Sequence, residues 1–144
     1  MPKVYVDRGA TSRIYHIFIQ DSSVTTGAGL TGLAFGSAGL ASSYIRPGEA
    51  AATVLTLETI AAIGTWVAPT SAAHMRFAEI SAANMPGWYE VQLPDALLDT
   101  TGTRKSLGIV LHGATNQAPC NLEIQLIGAQ VFGDILSGAT IGVC

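Results

Sequence analysis

Apolar and polar residues alternate with a period of two along much of the chain. In residues 13–20, RIYHIFIQ, the side chains of Tyr15, Ile17 and Ile19 fall on one face and those of His16, Phe18 and Gln20 on the other. β-Branched and aromatic residues dominate this run, and no helical spacing repeats, so it predicts a strand with one buried and one half-covered face. The glycine-, serine- and threonine-rich DSSVTTGAGLTG that follows reads as a connection. Residues 33–35 and 40–45 are short β-like runs, and Gly36, Ser37, Ala38 and Gly39 between them suit a hairpin loop. Arg46, Pro47 and Gly48 end the second run. Residues 53–57, TVLTL, alternate as a strand, although the alanines on either side also suit the start of a short helix.

Interleaving around Trp66 and over residues 75–80 predicts further strands with one wet face. Asn84, Met85, Pro86 and Gly87 form a turn signal, with Pro86 fixing φ near −65° and Gly87 free to take a positive φ. A hairpin partner follows in WYEVQLP, where Trp88, Glu90 and Gln92 oppose Tyr89, Val91 and Leu93 until Pro94 ends the ladder. Residues 94–98 read as one helical turn, and residues 105–112 and 120–127 as the last two strands. In the latter, Cys120, Leu122, Ile124 and Leu126 line one face. Short strands separated by glycine and proline turns, with no long amphipathic helix, predict an all-β chain, an immunoglobulin-like β-sandwich over residues 1–127. The apolar, glycine-punctuated segment 128–144 is too short for a core of its own. It is expected to be an extended C-terminal arm docking on neighbouring subunits.

The chain has 144 residues, enough for one domain. It is 49% hydrophobic and only 12% charged, where an ordinary soluble domain is about a quarter charged. Such a surface suits a subunit that neighbours cover. No stretch approaches the ~20 apolar residues that cross a bilayer, so no membrane partner is expected. A net charge of −3, with Arg104 and Lys105 as the densest basic cluster, argues against nucleic acid as a partner. The start, MPKVYVDR, lacks a secretory signal, and synthesis in a cytoplasm is expected. Cys120 and Cys144 are too few for a disulfide framework and are expected to be reduced.

Residues 27–32, GAGLTG, match GxGxxG, but a dinucleotide site needs a strand before the glycines and a helix after them, and LAFGSAG follows instead. The glycines are expected to serve a turn, and no cofactor is expected. His16, His74 and His112 stand far apart with no metal-ligand spacing. The acidic residues Glu79, Glu90, Asp95, Asp99 and Glu123 fall on separate elements, and no nucleophile elbow frames a serine; no enzyme is expected. Cys120 begins the apolar face of its strand and reads as a core residue. Trp66, Trp88 and Tyr89 are the aromatics able to anchor an interface, with Tyr89 favoured as core by its alternation and Trp88 on the opposite face.

Four phrases, DSSVTTGAGLTGLAF, YIRPG, ANMPGWYEVQLPDALL and LGIVLHGATNQAPCNLEIQL, resemble a group of tailed-phage structural proteins. The likeness is to the N-terminal immunoglobulin-like modules of tail-fibre and upper-baseplate adaptor proteins, over residues 14–127. The resemblance implies a virion component, a fibre-attachment, tail or baseplate adaptor acting by protein–protein packing. Its partners would be other phage structural proteins and copies of itself in a trimer or ring. Assembly contacts are expected at Trp66, Trp88, Phe132, Ile135 and Leu136. A capsid decoration protein and a carbohydrate-binding β-module stacking sugars on Trp66, Trp88 and Tyr89 are the alternatives.

Overall fold

Alternation of apolar and polar side chains becomes a sheet with one dry face. The computed structural model describes residues 3–98 and 106–127. Its strands are β1 (Lys3–Asp7), β2 (Ile14–Phe18), β3 (Ala41–Ile45), β4 (Thr53–Glu58), β5 (His74–Ser81), β6 (Met85–Gln92), β7 (Ser106–His112) and β8 (Cys120–Ile127). They form one eight-stranded sheet in the order β1-β8-β7-β3-β4-β5-β6-β2. The expected helical turn is present as a 3-10 turn at Asp95–Leu97. The all-β class predicted from the sequence is the class of the structure. The arm with Phe132, Ile135 and Leu136, and also Asp99, Arg104 and Lys105, lie outside the described residues.

The sheet curls on itself because β4 serves two halves. Its first residues pair antiparallel with β3 through Ser42–Leu55 and Tyr44–Thr53, and its last residues pair parallel with β5 through Thr56–His74 and Glu58–Arg76. One half is therefore β1-β8-β7-β3-β4 and the other β5-β6-β2. Inward residues of both halves make the core: Tyr15, Ile17 and Ile19 from β2 and its extension, Met75 and Phe77, Tyr89 and Val91, Leu107, Ile109 and Leu111, Leu122, Ile124 and Leu126. Tyr89 stacks on Phe77 at 4.9 Å between ring centres. Each such large apolar side chain stabilises the fold by roughly 1.5–3 kcal/mol relative to exposure.

The two halves meet again past the end of β2. Asp21 bridges to Gln117, and the Ala118 N–H donates to the Gln20 carbonyl at 3.0 Å. Toward the other end β1 pairs in parallel with β8, from Lys3–Glu123 to Asp7–Ile127. β1 and β2 stand at the two ends of the strand order, so the curl is sewn at one end and open between β1 and β2 at the other.

Three local expectations differ from the structure. Residues 33–35 form no strand, and β3 pairs with β4 and β7 instead of with a hairpin partner across Gly36–Gly39. The stretch around Trp66 is coil, held by side chains from distant strands. The β5–β6 hairpin exists, but its turn spans Ala82, Ala83 and Asn84, and Met85, Pro86 and Gly87 already belong to β6. Gly87 does have positive φ (+86°). Its role is a close approach: a Cβ there would lie 2.4 Å from the Gly29 Cα, and a Cβ on Gly29 would lie 2.3 Å from the Pro86 carbonyl oxygen. Gly29 of the GAGLTG stretch is thus a packing glycine that lets the loop of residues 22–32 lie against β6.

Candidate interaction surface

Among the described residues a dense polar cluster lies on the outward face of β5 and β6, under the coil of residues 59–73 that carries the chain from β4 to the parallel β5. A coil laid on a sheet has no ladder to satisfy its backbone, so side chains must supply partners. Gln92 does so twice: its Oε1 accepts the Val67 N–H at 2.9 Å, and its Nε2 donates to the Thr65 carbonyl at 2.9 Å and to Glu90 Oε2 at 2.9 Å. Glu90, fully buried, accepts the Gly64 N–H at 3.0 Å, and His16 Nε2 lies 3.5 Å away. Arg76 donates to the carbonyls of Thr59 (2.8 Å), Val67 (3.0 Å) and Ala68 (3.0 Å) and lies 3.4 Å from Glu58. Glu58 in turn holds Thr70 and His74.

Glu58, His74 and Thr70 resemble a relay in composition but not in geometry. A relay places the acid on one imidazole nitrogen and the nucleophile on the other. Here Thr70 Oγ1 and Glu58 Oε1 both address His74 Nδ1, and Thr70 also bonds directly to the same Glu58 oxygen. The arrangement pins a loop and is not the linear acid–imidazole–hydroxyl order of a relay. Burial raises the Glu58 carboxyl, but hydrogen bonds from Thr70 and His74 and the Arg76 charge outweigh it, and the group sits below the usual glutamate range. Among the described residues no three His, Cys, Asp or Glu side chains are placed to hold a metal ion. His112 is exposed at the end of β7, apart from His16 and His74.

Beyond this clasp the outward faces also carry exposed apolar side chains. On the larger half, in-register rows run Lys3–Glu123–Gly108–Ile45 and Asn121–Val110–Ser43–Val54. Gly108 lacks a side chain in the middle of these rows, and a groove of about 540 Å³ opens over it between Ile45, Val110 and Glu123, walled by Arg46 and Glu49. Arg46 is fixed by Glu49 at 2.8 Å and by the Tyr44 ring. Ile45 and Val54 are 42% and 68% exposed, where a wet face would carry polar residues. On the smaller half, Trp88 and its cross-strand neighbour Phe18 are each 38% exposed with ring centres 5.8 Å apart.

No family model, curated protein or solved structure matches this chain. The surface is therefore read from its own chemistry. Of the aromatics singled out in the sequence, Trp88 is presented outward, Tyr89 is in the core with its hydroxyl donating to the Leu30 carbonyl at 2.7 Å, and Trp66 is half-buried in the clasped coil. Neither Trp66 nor Trp88 lines the groove. Cys120 is buried, and burial pushes its thiol up to about 11. Sequence reasoning missed the burial of Glu90 and Gln92. Alternation places them opposite the core, and only the coil laid over them takes them out of water.

Proposed function

We propose that this chain is an immunoglobulin-like β-module of a bacteriophage virion, a fibre-attachment, tail or baseplate adaptor that works by packing and has no catalytic role. The observation that carries the reading is apolar surface on outward faces of both halves of the sheet, with Ile45, Val54 and Val110 beside an open groove and Trp88 paired with Phe18, in a chain only 12% charged. Exposed apolar patches of this kind mark surfaces that partners cover. The order β5-β6-β2 against β8-β7-β3-β4, joined through the shared β4, supports the immunoglobulin-like wrapping. The sequence phrases that resemble tail-fibre and baseplate adaptor modules supply the virion setting. The partners are other phage structural proteins and further copies of the chain in a trimer or ring.

Quantitative mass spectrometry of purified particles from the phage that encodes the chain tests the proposal. Copies equal to one or a few rings per portal are expected. Copies comparable to the major coat protein assign a capsid-decoration role instead, and absence from the particle removes the proposal.

A further inference from the structure

β1 and β2 end the strand order, so among the described strands each has one backbone edge without a ladder partner. A gap of about 320 Å³, lined by residues of both, separates them. Sheets that remain solitary blunt an edge with a proline, a bulge or an inward charge. β1 has none of these: KVYVD pairs with β8 in unbroken register, and its inward residues are Val4 and Val6. Its charges, Lys3 and Asp7, and its aromatic ring, Tyr5, lie on the outward face, where Tyr5 is 65% exposed.

The free edge is already set for hydrogen bonding. The Arg8 N–H donates to the Ile127 carbonyl at 2.8 Å, so at Arg8 the backbone faces β8. Main-chain groups of successive strand residues turn to opposite edges. Those of Val4 and Val6 therefore face β8 as well, and those of Lys3, Tyr5 and Asp7 face the free edge.

β1 is complementary to its own reverse. About Tyr5 it reads valine on either side and then opposite charges, Lys3 before and Asp7 after. Laid antiparallel on a second β1 with Tyr5 opposite Tyr5, it sets Lys3 across from Asp7 of the second copy and Asp7 across from its Lys3. Val4 and Val6 oppose each other on the inner face. Because Lys3, Tyr5 and Asp7 present their main-chain groups to the free edge, each of these cross-strand pairs exchanges both N–H···O bonds. Aromatic pairs and opposite charges directly across from one another stabilise such a ladder, and like charges oppose it. A parallel arrangement would set Lys3 on Lys3 and Asp7 on Asp7, and a shift of two residues would separate Lys3 from Asp7. The charges thus select one orientation and one register. Within its own sheet Lys3 lies 3.4 Å from Glu123. Among the described residues no cation forms an ion pair with Asp7, and Lys3 of the second copy supplies one.

We propose that β1 of one copy pairs antiparallel with β1 of a second copy about a two-fold axis at Tyr5, joining the larger halves of both into one continuous sheet. A two-fold contact uses the same patch on both sides and needs a pattern complementary to itself. KVYVD has that pattern and β2 lacks it: about its centre, IYHIF sets His16 against His16 and carries no opposite charges. The inference rests on the packing-module reading and deepens it by naming the edge through which copies meet.

Charge exchange in the full-length protein tests it. By sedimentation velocity the unaltered chain is expected to show a monomer–dimer equilibrium. Asp7→Lys sets Lys3 against a lysine on both sides of the axis, Lys3→Asp sets Asp7 against an aspartate, and each alone should weaken dimerisation at least tenfold. Mixed in equal amounts, the two variants are complementary at both positions, and a heterodimer at least tenfold tighter than either homodimer is expected. An unaltered chain that is monomeric at every concentration, dimerisation unchanged in Asp7→Lys, or a mixture no tighter than its components overturns the proposal. Disulfide formation is a second readout that does not require the Lys3→Asp chain to fold. Residues of a hydrogen-bonded antiparallel pair lie about 5.5 Å apart at Cα, within the reach of a disulfide. Under mild oxidation Tyr5→Cys,Cys144→Ser should give at least tenfold more covalent homodimer than Val54→Cys,Cys144→Ser, altered at a comparably exposed position on the outward face of β4. An equal or lower yield overturns the proposal. These assays use isolated protein, so failure here leaves the particle measurement standing, and absence from particles leaves this result standing.

Discussion

Gly29→Ala probes the contact that joins the GAGLTG loop to β6. Gly29 does not have positive φ, so alanine there costs nothing in backbone conformation. The cost is steric: the new Cβ would lie 2.3 Å from the Pro86 oxygen and 2.5 Å from the Gly87 Cα. These are backbone atoms of a paired strand and cannot swing aside, so the loop must lift. Lifting exposes Leu30, now 9% exposed, at about 1.5–3 kcal/mol. It also takes the Leu30 carbonyl from the Tyr89 hydroxyl, 2.7 Å away, leaving a buried donor unpaired at about 1–3 kcal/mol. The combined loss is roughly 2.5–6 kcal/mol, a large share of the ~5–15 kcal/mol that folds an ordinary domain. Urea unfolding followed by tryptophan fluorescence should show a midpoint lower by about 2 M for a slope near 2 kcal/mol/M. Gly27→Ala is the comparison, since its Cβ meets nothing within 4 Å but its φ is +77°; the left-handed conformation alone costs about 1–2 kcal/mol. A Gly29→Ala loss below about 1 kcal/mol, or below that of Gly27→Ala, refutes the argument.

Arg76→Met removes the donors that hold the carbonyls of Thr59, Val67 and Ala68, and a loss of about 2–4 kcal/mol with early proteolysis within residues 59–73 is expected; a cleavage pattern like the unaltered chain's contradicts the clasp. Glu58 is held below its ordinary pKa, so its contribution is present above the unfolded value and lost as pH falls through the lower folded value. Stability measured from pH 7 down to 3 should therefore decline in acid less steeply in Glu58→Gln than in the unaltered chain, and parallel curves would count against it. With Cys120 buried and its thiol pushed up to about 11, a Cys144→Ser chain should yield no thiol to Ellman's reagent at pH 8 until denaturant is added; prompt reaction of the native chain contradicts the burial.

Strands with unbroken alternation were legible in the sequence: β2, the second half of β6 and β8 bury the residues expected, because one face of each meets the core and the other does not. β1 was not legible. KVYVD offers two inward valines in five residues, and its partner, β8, lies at the other end of the described chain. The interleaving around Trp66 misled because the coil there is satisfied by Glu90, Gln92 and Arg76 rather than by a neighbouring strand, and period-two patterning does not report who the partner is. The same gap in local information hid the polar clasp. Trp88 was legible as an outward aromatic, whereas the groove exists because Gly108 falls in register between Ile45 and Glu123, a juxtaposition of three strands that no single segment encodes.

Pairing of β1 with β8 also sets a timetable for biosynthesis. Lys3 waits for Glu123, and at translation rates of about 5–20 residues per second that wait lasts roughly 6–24 s. Throughout it, Val4 and Val6 have no sheet to join, and the larger half of the molecule lacks the strand that β7 will pair with. A ribosome that stalls before residue 120 thus releases an incomplete sheet with an uncovered β7 edge, a substrate for chaperones and proteases. The finished fold depends on the last described strand as much as on the first.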